Sequence, residues 1–123
     1  MNEYNTRKSI NQEKSQLINR ALVLDLLRQE GICSRATLSQ LSGLKQATIT
    51  NIINEFIACG LVIETGLMSG SKGRRSIGIS LNDQKYKVIG IRMTRSAFYL
   101  CLAGLSGKLY GVKQYKIGPK ENV

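Results

Sequence analysis

The feature that most constrains this chain is a change of hydrophobic period at Gly60. Before it, apolar side chains recur every three or four residues; after it they alternate or cluster in short blocks bounded by turn residues. A chain of 123 residues that places its helices first and its strands second reads as α+β. From about Gln12 to Glu30, Leu17, Ala21, Leu24 and Leu27 repeat at helical spacing, with Ile18, Leu22 and Leu26 widening the stripe. Gly31 is the expected C-cap. Residues 1–14 show no apolar periodicity and read as a polar, loosely ordered arm. Ser34 is placed to cap a short second helix, Arg35 to Leu41, and Gly43 in Ser42-Gly43-Leu44 supplies the left-handed turn that follows. A third helix, about Lys45 to Cys59, carries Ile49, Ile52, Ile53, Phe56 and Ile57 on one face and stops at Gly60. Leu38, Leu41, Leu44 and Leu61-Val62-Ile63 complete the expected core.

Beyond Gly60, Leu61 to Glu64 and Ser76 to Leu81 read as two strands of a hairpin. The long Gly/Ser-rich loop Gly66 to Arg75 joins them and turns basic at its end. Asn82-Asp83-Gln84 marks a boundary. Val88 to Met93, Phe98 to Leu102 and Leu109 to Ile117 then predict a three-stranded antiparallel meander. In it, Ile89, Ile91, Phe98, Leu100, Leu102, Val112 and Tyr115 are expected to share an apolar face awaiting a helix layer. Pro119-Lys120-Glu121-Asn122 reads as the first turn of a helix whose body is absent, so the chain is expected to be a fragment. The predicted organisation is an arm over 1–14, a helix-rich domain over 15–83 and the start of a second domain over 84–123.

Composition narrows the chemistry. The chain has no His, which excludes His-based acid/base catalysis and His ligation within it. Its three cysteines, Cys33, Cys59 and Cys101, form no CxxC pair. They predict neither a metal site nor a disulfide framework, but small buried residues of a reducing compartment. The N-terminus lacks the apolar core of a signal peptide, and the longest apolar run, Ala21 to Leu27, is broken by Asp25. A cytoplasmic protein without a membrane partner follows. Lys and Arg number 18 against 8 acids, a net charge of +10 that calls for a polyanionic partner. The excess is uneven: 7 bases and 5 acids up to residue 60, 11 bases and 3 acids after it.

Three helices followed by a hairpin is the winged helix-turn-helix plan. With its isoleucines buried, the third helix presents Lys45, Gln46, Thr48, Thr50, Asn51 and Asn54, side chains suited to base edges; only Glu55 adds negative charge there. Ser34 and Arg35, opening the second helix, and Lys72, Gly73, Arg74 and Arg75 in the wing complete the candidate DNA-binding set, the latter on phosphates or the minor groove. The alternatives are a winged helix used for protein–protein contact and a wing made basic merely for solubility.

Several ordered pieces resemble the N-terminal part of the ROK-family transcriptional repressors of the xylose-repressor type. They are Ser34-Arg35-Ala36-Thr37-Leu38-Ser39, Ser42-Gly43-Leu44, Ala47-Thr48-Ile49, Gly60 to Gly66, Gly73-Arg74-Arg75, Leu81-Asn82 and Ile89-Gly90-Ile91. The resemblance runs from about Ile18 to Tyr115. It implies a winged helix followed by a truncated sugar-kinase-like domain of the actin/ribonuclease-H type, whose first strands are the meander. It further implies a dimeric repressor of carbohydrate genes on a palindromic, double-stranded operator, with a sugar effector bound only by a longer chain. Kinase members carry an Asp and a Gly-rich turn after the first strand, where this chain reads Arg92-Met93-Thr94-Arg95-Ser96. The family's zinc motif and sugar-binding residues lie beyond the matching stretch. The resemblance therefore implies no ATP, cofactor or metal site here, and a sugar kinase is the lesser reading.

Overall fold

The computed structural model describes residues 3–69 and 75–118 and divides into two units, Met1–Leu81 and Asn82–Val123. The first contains α1 (Glu3–Glu30), α2 (Arg35–Ser42), α3 (Gln46–Ala58) and the hairpin β1 (Val62–Ser69) and β2 (Arg75–Leu81). The second contains β3 (Lys87–Met93), β4 (Ala97–Gly104) and β5 (Leu109–Lys116). Helices followed by antiparallel strands make the molecule α+β, as expected.

Helix α1 is longer than its apolar pattern. It begins at Glu3, nine residues before the expected start at Gln12, so most of the expected arm is helical. Glu, Gln, Lys and Arg at these positions are good helix formers, and neither Gly nor Pro interrupts them before Gly31. The buried line also differs in phase. Val23 and Leu27 are fully buried and Leu24 and Leu26 half-buried, whereas Leu17, Ile18, Ala21 and Leu22 are exposed. Leu17 and Ala21 lie roughly 100–140° around the helix from the Val23–Leu27 line, at about 100° per residue. Gly31 ends the helix at φ 77°, its N–H donating to Leu27 O at 3.0 Å.

The turn chemistry follows expectation. Ser34 Oγ accepts the Thr37 N–H at 3.1 Å, and Gly43 sits at φ 71° with its N–H on Ser39 O at 3.0 Å. Ile49, Ile52, Ile53 and Phe56 of α3 are buried, and with Val23, Leu27, Leu38, Val62, Ile79 and Leu81 they form the core. Leu44 and Leu61 are half-buried, but Leu41 and Ile63, expected inside, are exposed. Cys33 is tied to Ile79 by a reciprocal pair of backbone hydrogen bonds at 3.1 and 2.8 Å, which fastens the segment before α2 to the hairpin. Burial, with nearby Glu30 adding to it, pushes the Cys33 thiol pKa up. Cys101 is half-buried; Cys59, expected buried, is exposed near the end of α3.

The hairpin strands pair antiparallel from Val62 with Leu81 to Ser69 with Arg75, with an irregularity between Glu64 and Gly66. Gly66 to Ser69 and Arg75, expected in a loop, are therefore strand, and the remaining wing-tip residues, with Lys72, Gly73 and Arg74, lie outside the described residues. Buried Gly78, paired with Gly66, has no room for a side chain: a Cβ there would meet Thr65 Oγ1, Ile32 Cγ2 and Met68 Sδ.

In the second unit the order is β3-β4-β5, antiparallel throughout. The register aligns Ile89 with Leu102, Ile91 with Leu100 and Met93 with Phe98, and puts Tyr115 beside Phe98, where the rings stack at 4.6 Å. Val112 pairs with Cys101 and so belongs to the opposite face, against expectation. Asp83 accepts the Ser106 N–H at 2.9 Å and the Ser106 hydroxyl, holding the β4–β5 turn. Partial burial alone would raise the Asp83 pKa. The two Ser106 hydrogen bonds and nearby Lys87 and Lys108 outweigh it, and the carboxyl lies below its ordinary value. The helix expected at Pro119 falls outside the described residues. Among the described residues, no helix is long and apolar enough to cross a membrane.

Candidate nucleic-acid interface

Helix α3 presents three flanks, set by the burial of Ile49, Ile52, Ile53 and Phe56. At about 100° per residue, Ala47, Asn51, Asn54 and Ala58 fall opposite the core and project furthest; all four are exposed. Gln46 and Thr48, both expected on the polar face of this helix, fall on different flanks of it. Gln46 lines a cleft of about 680 Å³ formed with Thr37 and Gln40 of α2 and with Met68, Ser69, Arg75 and Ser76 of the hairpin. Thr48 lines a groove of about 180 Å³ on the other side, with Gln16, Asn19 and Arg20 of α1 and with Asn51, Ile52 and Glu55 of its own helix. Half-buried Thr50 lies within about 40° of Gln46.

Lys45 is the exposed N-cap residue of α3, and its side chain makes no capping bond. Arg75 opens β2, exposed and opposite Ser69. Gln46, Arg75 and Ser34 line the wing cleft, and Lys45 precedes Gln46 in the chain without lining that cleft. Ser34 is itself occupied: it is buried, with its hydroxyl shared between the Thr37 N–H and the Thr37 hydroxyl, the latter at 3.0 Å. Arg35 is occupied too. Its guanidinium pairs with Glu64 of β1 at 3.1 Å and reaches Asn54 of α3 at 3.4 Å, so it braces the hairpin against the two helices.

Glu55, the acid on the polar side of α3, is also paired, with Arg20 of α1 at 2.8 Å. Arg20, Gln16 and Asn19 escaped the reading of the sequence. Their signal was present: counting back from Val23 at three- and four-residue steps reaches Asn19, Gln16 and Gln12, a polar continuation of the buried line. Ala47 escaped because a small apolar residue carries no polar signal, although such a residue suits a thymine methyl.

No family model matches the chain. Over 106 residues, 85% of its length, it is 30% identical to the DNA-binding transcriptional repressor Mlc of Escherichia coli strain K12, of which it covers 26%. Over 92 residues, 75% of its length, it is 32% identical to the xylose repressor of Caldicellulosiruptor bescii, covering 23% of that protein. A crystal structure of a ROK family transcriptional regulator, described as a homologue of the E. coli MLC protein, superposes with a TM-score of 0.61 at 31% identity. The match covers 83% of this chain and 26% of that one. The chain therefore spans about a quarter of the length of the relatives it matches.

Proposed function

From the premise that this chain is a homologue of the ROK-family transcriptional regulators, we propose that it is the DNA-reading part of a repressor of carbohydrate-utilisation genes, xylose genes among the candidates. It acts in the cytoplasm, as a homodimer on a palindromic double-stranded operator, and the sugar effector is bound by a longer chain. The observation that carries this reading is the shared cleft: Gln46 in the first turn of α3 and Arg75 at the base of the wing line the same opening. A duplex whose major groove receives α3 would then bring its sugar-phosphate backbone between helix and wing. Asn51, Asn54 and Ala47 project furthest and meet base edges. Lys45 and Arg75, with Lys72 and Arg74, meet phosphates or the minor groove. The chain is not an enzyme on this reading, because Arg92 places a cation where kinase relatives are implied to hold a carboxylate.

The test is a duplex titration across salt. With roughly 4–6 phosphates neutralised per protomer, log K falls against log salt with a slope of about −4 to −5. Arg75→Ala weakens binding to every sequence and makes the slope shallower by about one unit, whereas Asn51→Ala costs a base contact worth about 1–3 kcal/mol and relaxes preference at one position of each half-site. A flat salt response sinks the proposal in favour of a protein-binding winged helix.

A further inference from the structure

The α1 face that buries Val23 and Leu27 does not end where the core ends. Asn19 and Gln16 continue the same line toward the N-terminus, one turn at a time, with amides in place of apolar groups. Asn19 is half-buried and Gln16 exposed, and both line the groove that α1 shares with Thr48 and Asn51 of α3. The one acid there, Glu55, is neutralised by Arg20 at 2.8 Å. The groove therefore carries hydrogen-bonding side chains and no net charge.

We propose that Gln16 and Asn19 bind the DNA backbone, their side-chain amides donating hydrogen bonds to a phosphate of the strand that borders α3. The inference rests on the DNA reading of α3 given above. The dimensions select the backbone over the bases. A major groove about 12 Å wide is filled by a single helix about 10–12 Å across with its side chains, so α3 alone occupies it. A helix packed on α3, with axes roughly 8–10 Å apart, falls on the wall of that groove, where phosphates lie and base edges do not. A neutral amide there makes a charge-assisted hydrogen bond to the phosphate yet releases no counterion, because it brings no cation. The Arg20–Glu55 pair serves the same end, since an unpaired carboxylate at this edge would repel the phosphate.

Gln16→Ala and Asn19→Ala test the proposal. Both put a better helix former into α1, and neither removes a core side chain, so both variants fold. The probe is a pool of randomised duplexes, bound at several salt concentrations and also used to select preferred sequences. Each substitution is expected to weaken binding to the whole pool by about five- to tenfold, with the salt slope and the selected sequence unchanged. Asn19→Asp, which sets a carboxylate against the phosphate, is expected to lose more than Asn19→Ala. Unchanged affinity in both alanine variants overturns the proposal, as does a shifted base preference, which would move the amides from backbone to bases. Failure of the unaltered chain to bind the pool would instead remove the DNA reading on which the proposal rests.

Discussion

Replacing Arg35 separates a brace from a DNA contact, because the two roles differ in both size and salt dependence. Arg35 bridges Glu64 and Asn54, with 25% of its side chain exposed and 44% of the Glu64 side chain. At that exposure an ion pair contributes about 0.2–1 kcal/mol. The bond to Asn54, at 3.4 Å, is long and adds little. Arg35→Met keeps most of the aliphatic stem that packs along the helix and removes the charge. The expected loss is thus at most about 1 kcal/mol, which for a unit of this size lowers Tm by roughly 4–8 °C. Glu64→Gln is expected to cost a similar amount. The double variant should lose less than the sum of the two, by a coupling that shrinks as salt rises. Thermal unfolding of the four proteins measures the coupling, and the duplex titration of the same four supplies the second readout. A brace leaves the salt slope of DNA binding unchanged. If Arg35→Met instead made that slope shallower by about one unit while Tm and the coupling stayed at zero change, Arg35 would be a phosphate contact and the reasoning refuted.

Two further outcomes follow from burial and from charge. Leu38, fully buried in α2, is expected to cost about 2–5 kcal/mol when changed to Ala, read as a lower denaturant midpoint at constant m-value; a loss below about 1 kcal/mol would mean α2 is not packed as described. The depressed Asp83 carboxyl binds protons less readily folded than unfolded, so its contribution to the second unit is complete above its ordinary value of 3.8 and is lost as pH falls through the lower folded value. Asp83→Asn should remove that part of the acid sensitivity, measured by unfolding of the meander between neutral and strongly acidic pH.

The fold was readable wherever local chemistry decides structure on its own. Ser34 can satisfy an orphan N–H, Gly43 can adopt positive φ, and the isoleucines of α3 share one face; none of these needs knowledge of a partner. What failed was what only neighbours decide. The spacing of Leu17, Ala21, Leu24 and Leu27 identifies a helix but not the angle at which other elements will approach it; α2, β2 and α3 all pack on α1, and Val23 and Leu27 are the residues fully buried there. Val112 differs for another reason, one that the sequence does hold. It lies three residues from Tyr115, so strand alternation alone puts the two on opposite faces, and the register, with Val112 opposite Cys101 and Tyr115 opposite Phe98, agrees. The extension of the wing strands to Ser69 was hidden because Gly and Ser read as loop until Gly78 is seen to demand close approach.

The candidate site shows the same division, with a consequence for charge. Listing the outward residues of α3 needs only its sequence, and on that basis Glu55 stands as a carboxylate facing DNA, while Ser34 and Arg35 stand as groups offered to it. Tertiary structure gives all three a partner within the chain. Ser34 is consumed in capping α2, Arg35 in bracing β1, and Glu55 is cancelled by a residue 35 positions earlier in the chain. The charge presented beside α3 is then set by α1 and β1 as well as by α3 itself, since Arg20 pairs with Glu55 and Glu64 with Arg35. The candidates left uncommitted by such pairing among the described residues are Lys45, Gln46, Thr48, Thr50, Asn51 and Arg75.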